Sequence, residues 1–228
     1  MSLLAVSGLE TFYGASQALF GVELAVEEGE VVALMGRNGM GKTTTIRSIM
    51  GLSRPRGGSV RFDGRELAGL RSHHIARLGI GLVPEGRRCF ANLTVHENLV
   101  AAARPGPWSE PRVVELFPRL GERRNQYARS LSGGEQQMLA VGRALMTNPR
   151  LLVVDEATEG LAPIIRQDIW SVIRKLKANG QSILVVDKTL SELLPTVDRC
   201  FILEKGKTVH RGTSTTLTRE ILDRYLGV

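Results

Sequence analysis

The sequence predicts an α/β fold: a parallel sheet flanked by helices, with a helical subdomain set between the two stretches of chain that build the sheet. Three observations predict it. Short apolar runs of strand length alternate with helical stretches at both ends of the chain. The middle, from about Glu85 to Leu145, reads as mainly helical. A glycine-rich turn joins one of the apolar runs directly to a helix.

In chain order, Leu3 to Leu9, Val22 to Val26 and Val31 to Met35 read as strands. The alternation in Val22-Glu23-Leu24-Ala25-Val26 suits a half-exposed strand. Val31 to Met35 is continuously apolar, as a strand buried on both faces should be. Gly41 to Gly51 reads as a helix, and Ser59 to Asp63 and Gly79 to Val83 as short strands. The helical middle is broken by Pro105, Pro107, Pro111 and Pro118. Leu151 to Val154 is another buried strand. Ile164 to Lys177 is an amphipathic helix with Ile165, Ile169, Val172, Ile173 and Leu176 on one face and Gly180 as its stop. Strands follow at Ile183 to Val186 and Cys200 to Leu203. The tail, Thr213 to Leu226, reads as helical.

The chain of 228 residues is 43% hydrophobic and 23% charged, the balance of a soluble globular protein with a large core. No run approaches the ~20 apolar residues of a membrane span. The N-terminus lacks the basic and apolar regions of a secretory signal. Any membrane is therefore reached through a partner. Cys89 and Cys200 make no disulfide framework and match no metal site, so reduced thiols in the cytoplasm are expected. His73, His74, His96 and His210 suggest no ligand cluster. The net charge of +7 raises nucleic acid as a partner. The basic residues are dispersed, however, and no aromatic–basic stacking motif accompanies them, so no nucleic-acid partner is expected.

Three motifs carry chemistry. Gly36-Arg37-Asn38-Gly39-Met40-Gly41-Lys42-Thr43 fits the phosphate-binding pattern G-x-x-x-x-G-K-[ST], placed between a buried strand and a helix. Its glycines let the backbone wrap a phosphate with N–H groups pointing inward, and the following helix adds its positive end. Lys42 is a charge for the β- and γ-phosphates, and Thr43 a Mg²⁺ ligand. Leu151 to Glu156 reads as the matching acidic strand: Asp155 would hold Mg²⁺ and Glu156 would polarise the attacking water as general base. The alternative is a strand ending in solvated acids. Leu131-Ser132-Gly133-Gly134-Glu135-Gln136-Gln137 contains S-x-x-E, a capping box that opens a helix. Its two glycines leave the helix N-terminus bare to a phosphate.

The last motif resembles the signature of the ABC ATPase family, and the resemblance covers essentially the whole chain. It implies a P-loop NTPase core of ABC ATPase type with an N-terminal antiparallel β region. One domain spans 1–228, with the α/β core in 1–84 and 146–228 and the helical subdomain in 85–145. The cofactors implied are ATP and Mg²⁺. ATP would be held by Tyr13, Gly36, Asn38, Gly39, Gly41, Lys42, Thr43 and Thr44, with Tyr13 stacking on adenine. In such proteins two domains pair head to tail, so Ser132, Gly133 and Gly134 would face the partner's P-loop. Pro84 to Arg88 falls at the Q-loop, where Glu85 replaces the glutamine and joins Thr43 and Asp155 as a metal ligand. Lys188 stands where the family has its switch histidine, which gives it a catalytic place. The bland alternative for Lys188 is a surface lysine paired with Asp187 or a nearby acid.

Val83 to Arg88, Phe90 to Val95 and Gly160 to Pro163 resemble the shorter ATPase of branched-chain amino acid importers. Urea and short-chain amide importers share these features. The partners implied are transmembrane permease subunits and a second ABC ATPase subunit, in a heterodimer within the complex and a homodimer in isolation. A solute-binding protein would act indirectly. The place implied is the cytoplasmic face of the cell membrane, held peripherally. Arg87, Arg88 and Phe90 are candidate contacts to a permease loop. A weakly hydrolysing nucleotide-binding module is the alternative that Lys188 leaves open. A soluble ABC protein of DNA repair or translation would need a second ATPase domain or a long insertion, and the chain has neither.

Overall fold

The computed structural model describes residues 2–227, so the outermost residues of the expected 1–228 domain lie outside it. The chain opens with a hairpin of β1 (Leu4–Tyr13) and β2 (Ser16–Val26). Next come β3 (Val31–Met35), α1 (Lys42–Ile49), β4 (Pro55–Phe62), β5 (Arg65–Glu66), α2 (Ser72–Arg77) and β6 (Ile80–Val83). Helices α3 (Val95–Ala101), α4 (Glu110–Leu116), α5 (Pro118–Glu122) and α6 (Gly133–Leu145) follow. Strands and helices then alternate through β7 (Leu151–Asp155), α7 (Pro163–Ala178), β8 (Ser182–Val186) and α8 (Leu190–Leu193). The end of the chain forms β9 (Arg199–Glu204), β10 (Lys207–Thr213) and α9 (Arg219–Tyr225).

One sheet has the order β10-β9-β3-β8-β7-β6, parallel from β9 to β6 with β10 antiparallel at its edge. The second, β2-β1-β4-β5, is antiparallel throughout. The apolar runs that read as buried strands divide between two cores because successive side chains point to opposite faces. On one face Val31, Ala33, Met35, Leu152, Val154, Ile183 and Val185 pack with α3 to α7. On the other, Val32, Leu34, Leu151, Val153, Leu184 and Val186 pack with the antiparallel sheet and α1. The helices of the chain's middle therefore share a core with one face of the parallel sheet. Their tight packing needs Gly142, where an added Cβ would lie 2.6 Å from Val113 of α4.

Two expectations change in detail. Pro111 and Pro118 open α4 and α5 rather than break a helix, because proline lacks only the N–H that a first turn leaves unpaired. The tail is helical only from Arg219; Lys207–Thr213 is the edge strand β10, and a 3₁₀ turn at Ser214–Thr216 precedes α9. Its alternating polar residues suit an edge with one exposed face.

Candidate functional site

Strands β3, β8 and β7 are neighbours, and their C-terminal ends carry the residues that the sequence singles out. That edge is where parallel sheets bind ligands. Backbone conformation builds the loop after β3. Gly36 and Gly41 have φ of 141° and 103°, values that favour glycine. A Cβ on Gly36 would lie 2.5 Å from the Leu203 carbonyl, and one on Gly41 would lie 2.7 Å from the Leu19 side chain. The loop is thus pressed between β9 and β2. Lys42 opens α1, is 6% exposed, and donates from Nζ to the carbonyls of Gly36 (2.8 Å) and Arg37 (3.1 Å).

The loop forms one wall of a cavity of about 480 Å³ lined by Asn38, Gly39, Gly41, Lys42, Thr43, Thr44, Glu156 and Lys188. The cavity is also lined by Gln17, Ala18, Phe20, Lys205 and Gly206, none of which the sequence singles out. Phe20 is an exposed aromatic on β2. The turn between β9 and β10 is tied to the loop by Gly206 N–H donating to the Met40 carbonyl at 3.1 Å. Tyr13 is half-exposed at the end of β1 and donates its hydroxyl to Thr44 Oγ1 at 3.4 Å. It does not line the cavity itself.

Asp155 is 3% exposed, and its Oδ1 has no hydrogen-bond donor. Burial, then the charges of Glu85 and Glu156, push its carboxyl up to about 6, against the opposing pull of Lys42 and Thr43. A buried carboxylate oxygen without a partner, beside a hydroxyl and further carboxylates, is the hard-oxygen set that Mg²⁺ takes. The residues present therefore fit the ion. Among the described residues no cluster of three or more His, Cys, Asp and Glu could hold a metal by itself.

Glu156 follows directly, with φ of 48° and its N–H donating to the Val186 carbonyl at 2.9 Å. A non-glycine residue in this region is strained, and such strain gathers at functional sites. Its carboxylate lies 3.9 Å from Lys42 Nζ and 3.3 Å from Lys188 Nζ. Burial pushes its pKa above the ordinary carboxylate value, and a hydrogen bond with Glu159 adds to that; Lys188 opposes both. Lys188 also donates to Glu159 at 2.6 Å. Asp187 is not its partner: that carboxylate accepts from the Thr158 hydroxyl at 2.6 Å and the Thr189 N–H at 2.8 Å. Lys188 thus bridges the two acids after β7, Glu156 and Glu159.

Lys188→Ala removes the cation that holds the Glu156 pKa down. The base form of Glu156 then needs higher pH. Turnover should fall about tenfold, roughly 1.4 kcal/mol of transition-state stabilisation. The acid limb of the kcat–pH profile should move to higher pH, and ATP affinity should stay within about twofold. An unchanged profile would make Lys188 an ordinary surface lysine.

The capping box forms: Ser132 Oγ accepts from the Glu135 N–H at 3.3 Å, and Glu135 Oε2 accepts from the Ser132 N–H at 2.8 Å. Ser132, Gly133 and Gly134 do not line the cavity of Lys42. The start of α6 and the loop after β3 therefore do not share this cavity within one subunit.

Residues 19–159 match the family described as ABC transporter. The high-affinity branched-chain amino acid transport ATP-binding protein BraG of Pseudomonas aeruginosa is 43% identical over 99% of this chain and 100% of its own length. The lipopolysaccharide export system ATP-binding protein LptB of Escherichia coli is 32% identical over 100% of this chain and 98% of its own. A crystal structure of an ATP-binding cassette of an ABC transporter, in its ADP conformation, matches with a TM-score of 0.84 at 26% identity and covers 100% of both chains.

Proposed function

Because the chain belongs to the ABC transporter family, and is an ATPase that energises a transporter, we propose that its transporter imports branched-chain amino acids. The observation that carries the cargo is the end-to-end identity of 43% with BraG, against 32% with LptB. A lipopolysaccharide exporter is the second reading that LptB supports. Among the described residues no helix is long and apolar enough to cross a membrane. The subunit would sit peripherally on the cytoplasmic face, bound to permease subunits and paired with a second ATPase subunit.

The geometry supports hydrolysis at the cavity. The backbone around Gly39 and Gly41, with Lys42, Thr43 and Thr44, would hold the ATP phosphates. Thr43 and Asp155, with Glu85 near them, would hold Mg²⁺, which supplies charge neutralisation at the phosphates when bound. Glu156 would orient a water and accept its proton, and its raised pKa makes it a stronger base at neutral pH. Lys188, able only to donate, would hold the Glu156 carboxylate and offset charge that grows in the transition state. The second half of the site would come from the signature helix of another ATPase domain, while Ser132 and Gly134 here would face that domain's P-loop.

The solute is tested by uptake in cells that carry this transporter as their sole route. Labelled leucine, isoleucine and valine should enter and compete with one another. Competition by urea or acetamide but not by leucine would replace the amino acid reading with an amide importer.

The permease-facing segment of the proposal is Arg88 to Asn98. Arg88 is exposed, and Phe90 is 53% exposed with the Arg143 guanidinium stacked 4.7 Å from its ring. Asn98, fully buried, ties the loop by accepting from the Phe90 N–H and donating to the Phe90, Leu93 and Thr94 carbonyls. Arg87, expected beside them, is half-buried, and its guanidinium donates to the Gly160 carbonyl. The double variant Arg88→Glu, Phe90→Ala should lower uptake more than about tenfold while ATP affinity of the purified chain is retained. Normal uptake would remove this segment from the interface.

A further inference from the structure

Arg87 has a place that its sequence position does not suggest. It follows Gly86 in a turn where both residues have positive φ, 80° and 52°. The left-handed backbone at a non-glycine residue is strained, and it is held by the Cys89 N–H donating to the Arg87 carbonyl at 2.7 Å. This turn aims the Arg87 side chain inward. Its Nη2 donates to the Gly160 carbonyl at 3.1 Å, in the loop after β7 that also carries Glu159. Its Nη1 lies against Gly133, the first residue of α6, so closely that a Cβ there would collide with it. One guanidinium thus joins two segments: the glycine-rich start of the signature helix and the loop after Glu156.

Neither Gly133 nor Gly160 lines the cavity that holds Lys42. In the head-to-tail arrangement of the proposed function, the signature helix serves the nucleotide on the other subunit. We propose that Arg87 is a positioning residue for that opposite site, holding the signature helix and the loop at Gly160 in the register that a second ATPase domain meets. This rests on the head-to-tail reading. The chemistry favours arginine over lysine. The planar fork donates to Gly160 with one nitrogen while the other packs against Gly133, whereas a lysine has one flexible ammonium. The segment that carries Arg87 is fastened to α6 elsewhere too. Cys89 Sγ donates to the Gln136 carbonyl at 3.1 Å, and Arg143 donates to the Arg88 carbonyl. A displacement of Arg88 and Phe90 would therefore reach the signature helix through these contacts, and its first turn through Arg87.

The test uses the full chain in a Glu156→Gln background, where bound ATP is retained. Sedimentation with MgATP reads the dimer, and a fluorescent ATP analogue reads binding to the monomer. Adding Arg87→Ala should weaken the ATP-dependent dimer at least tenfold, with monomer affinity changed less than twofold and melting temperature unchanged within a few degrees. Arg87→Lys should remain weakened, because it keeps the charge and loses the fork. An undiminished dimer in Arg87→Ala overturns the proposal, and so does full restoration by lysine. If Arg87→Ala fails to fold, Arg87→Gln is measured in its place, under the same criteria. If Glu156→Gln alone forms no ATP-dependent dimer, the same measurements are made with the second ATPase subunit of the complex added, and absence of an ATP-dependent dimer there ends the head-to-tail reading and this inference with it.

Discussion

Replacing Glu156 with Gln is expected to cut ATP turnover by about 10²- to 10⁴-fold, the range a positioned general base contributes, while ATP still binds. The amide keeps the shape and hydrogen-bonding reach of the carboxylate. It loses the ability to accept a proton. In the structure Glu156 is the acid placed between two cations, Lys42 and Lys188, on the cavity wall. Burial raises its proton affinity, which suits a base working near neutral pH. Asp155, its neighbour, sits deeper and has an unpartnered oxygen, which suits an ion rather than a water. The loss should therefore appear in kcat and not in nucleotide affinity. Native turnover by Glu156→Gln would move the base elsewhere.

Lys42→Ala should act on the other quantity. A hydrogen bond to a charged group is worth roughly 1.5–3 kcal/mol, so losing the Lys42 contact to the phosphates should weaken ATP binding by about 10- to 100-fold. The change also strips the Gly36 and Arg37 carbonyls of their shared donor and leaves Glu156 with one cation instead of two. Lys42→Arg should not restore affinity, because the lysine is enclosed and a guanidinium is broader than an ammonium. Equilibrium binding of a fluorescent ATP analogue reads this directly. Affinity within about twofold of native would contradict the phosphate role.

The elements legible in the sequence were those whose signal is local. Val31–Met35, Leu151–Asp155 and Ser182–Val186 are short apolar runs, and all three are buried on both faces. The P-loop and capping box follow from spacing alone, since glycine φ values and S-x-x-E geometry are set within a few residues. Thr94-x-x-Glu97 is a second capping box, which forms at the start of α3 and was equally readable. Strand β1 ran longer than its apolar run because Glu10, Thr11 and Tyr13 pair with β2 across the hairpin. Strand β10 was missed because its partner β9 supplies the apolar face. The missed part of the site is non-local. Phe20 and Lys205 meet at the cavity only because Gly206 is bonded to both β2 and the P-loop. The partners of Lys188 and the inward turn of Arg87 likewise depend on the fold rather than on neighbours in sequence.

The most direct measurement is ATP-driven uptake of labelled leucine into proteoliposomes holding the whole transporter, with this chain native or carrying Glu156→Gln. Leucine should accumulate with ATP at the face that carries this subunit, and accumulation should fall to near background in the variant. Leucine uptake that is independent of ATP, or equal in the Glu156→Gln transporter, would contradict the assignment of this chain as the ATPase that drives the import.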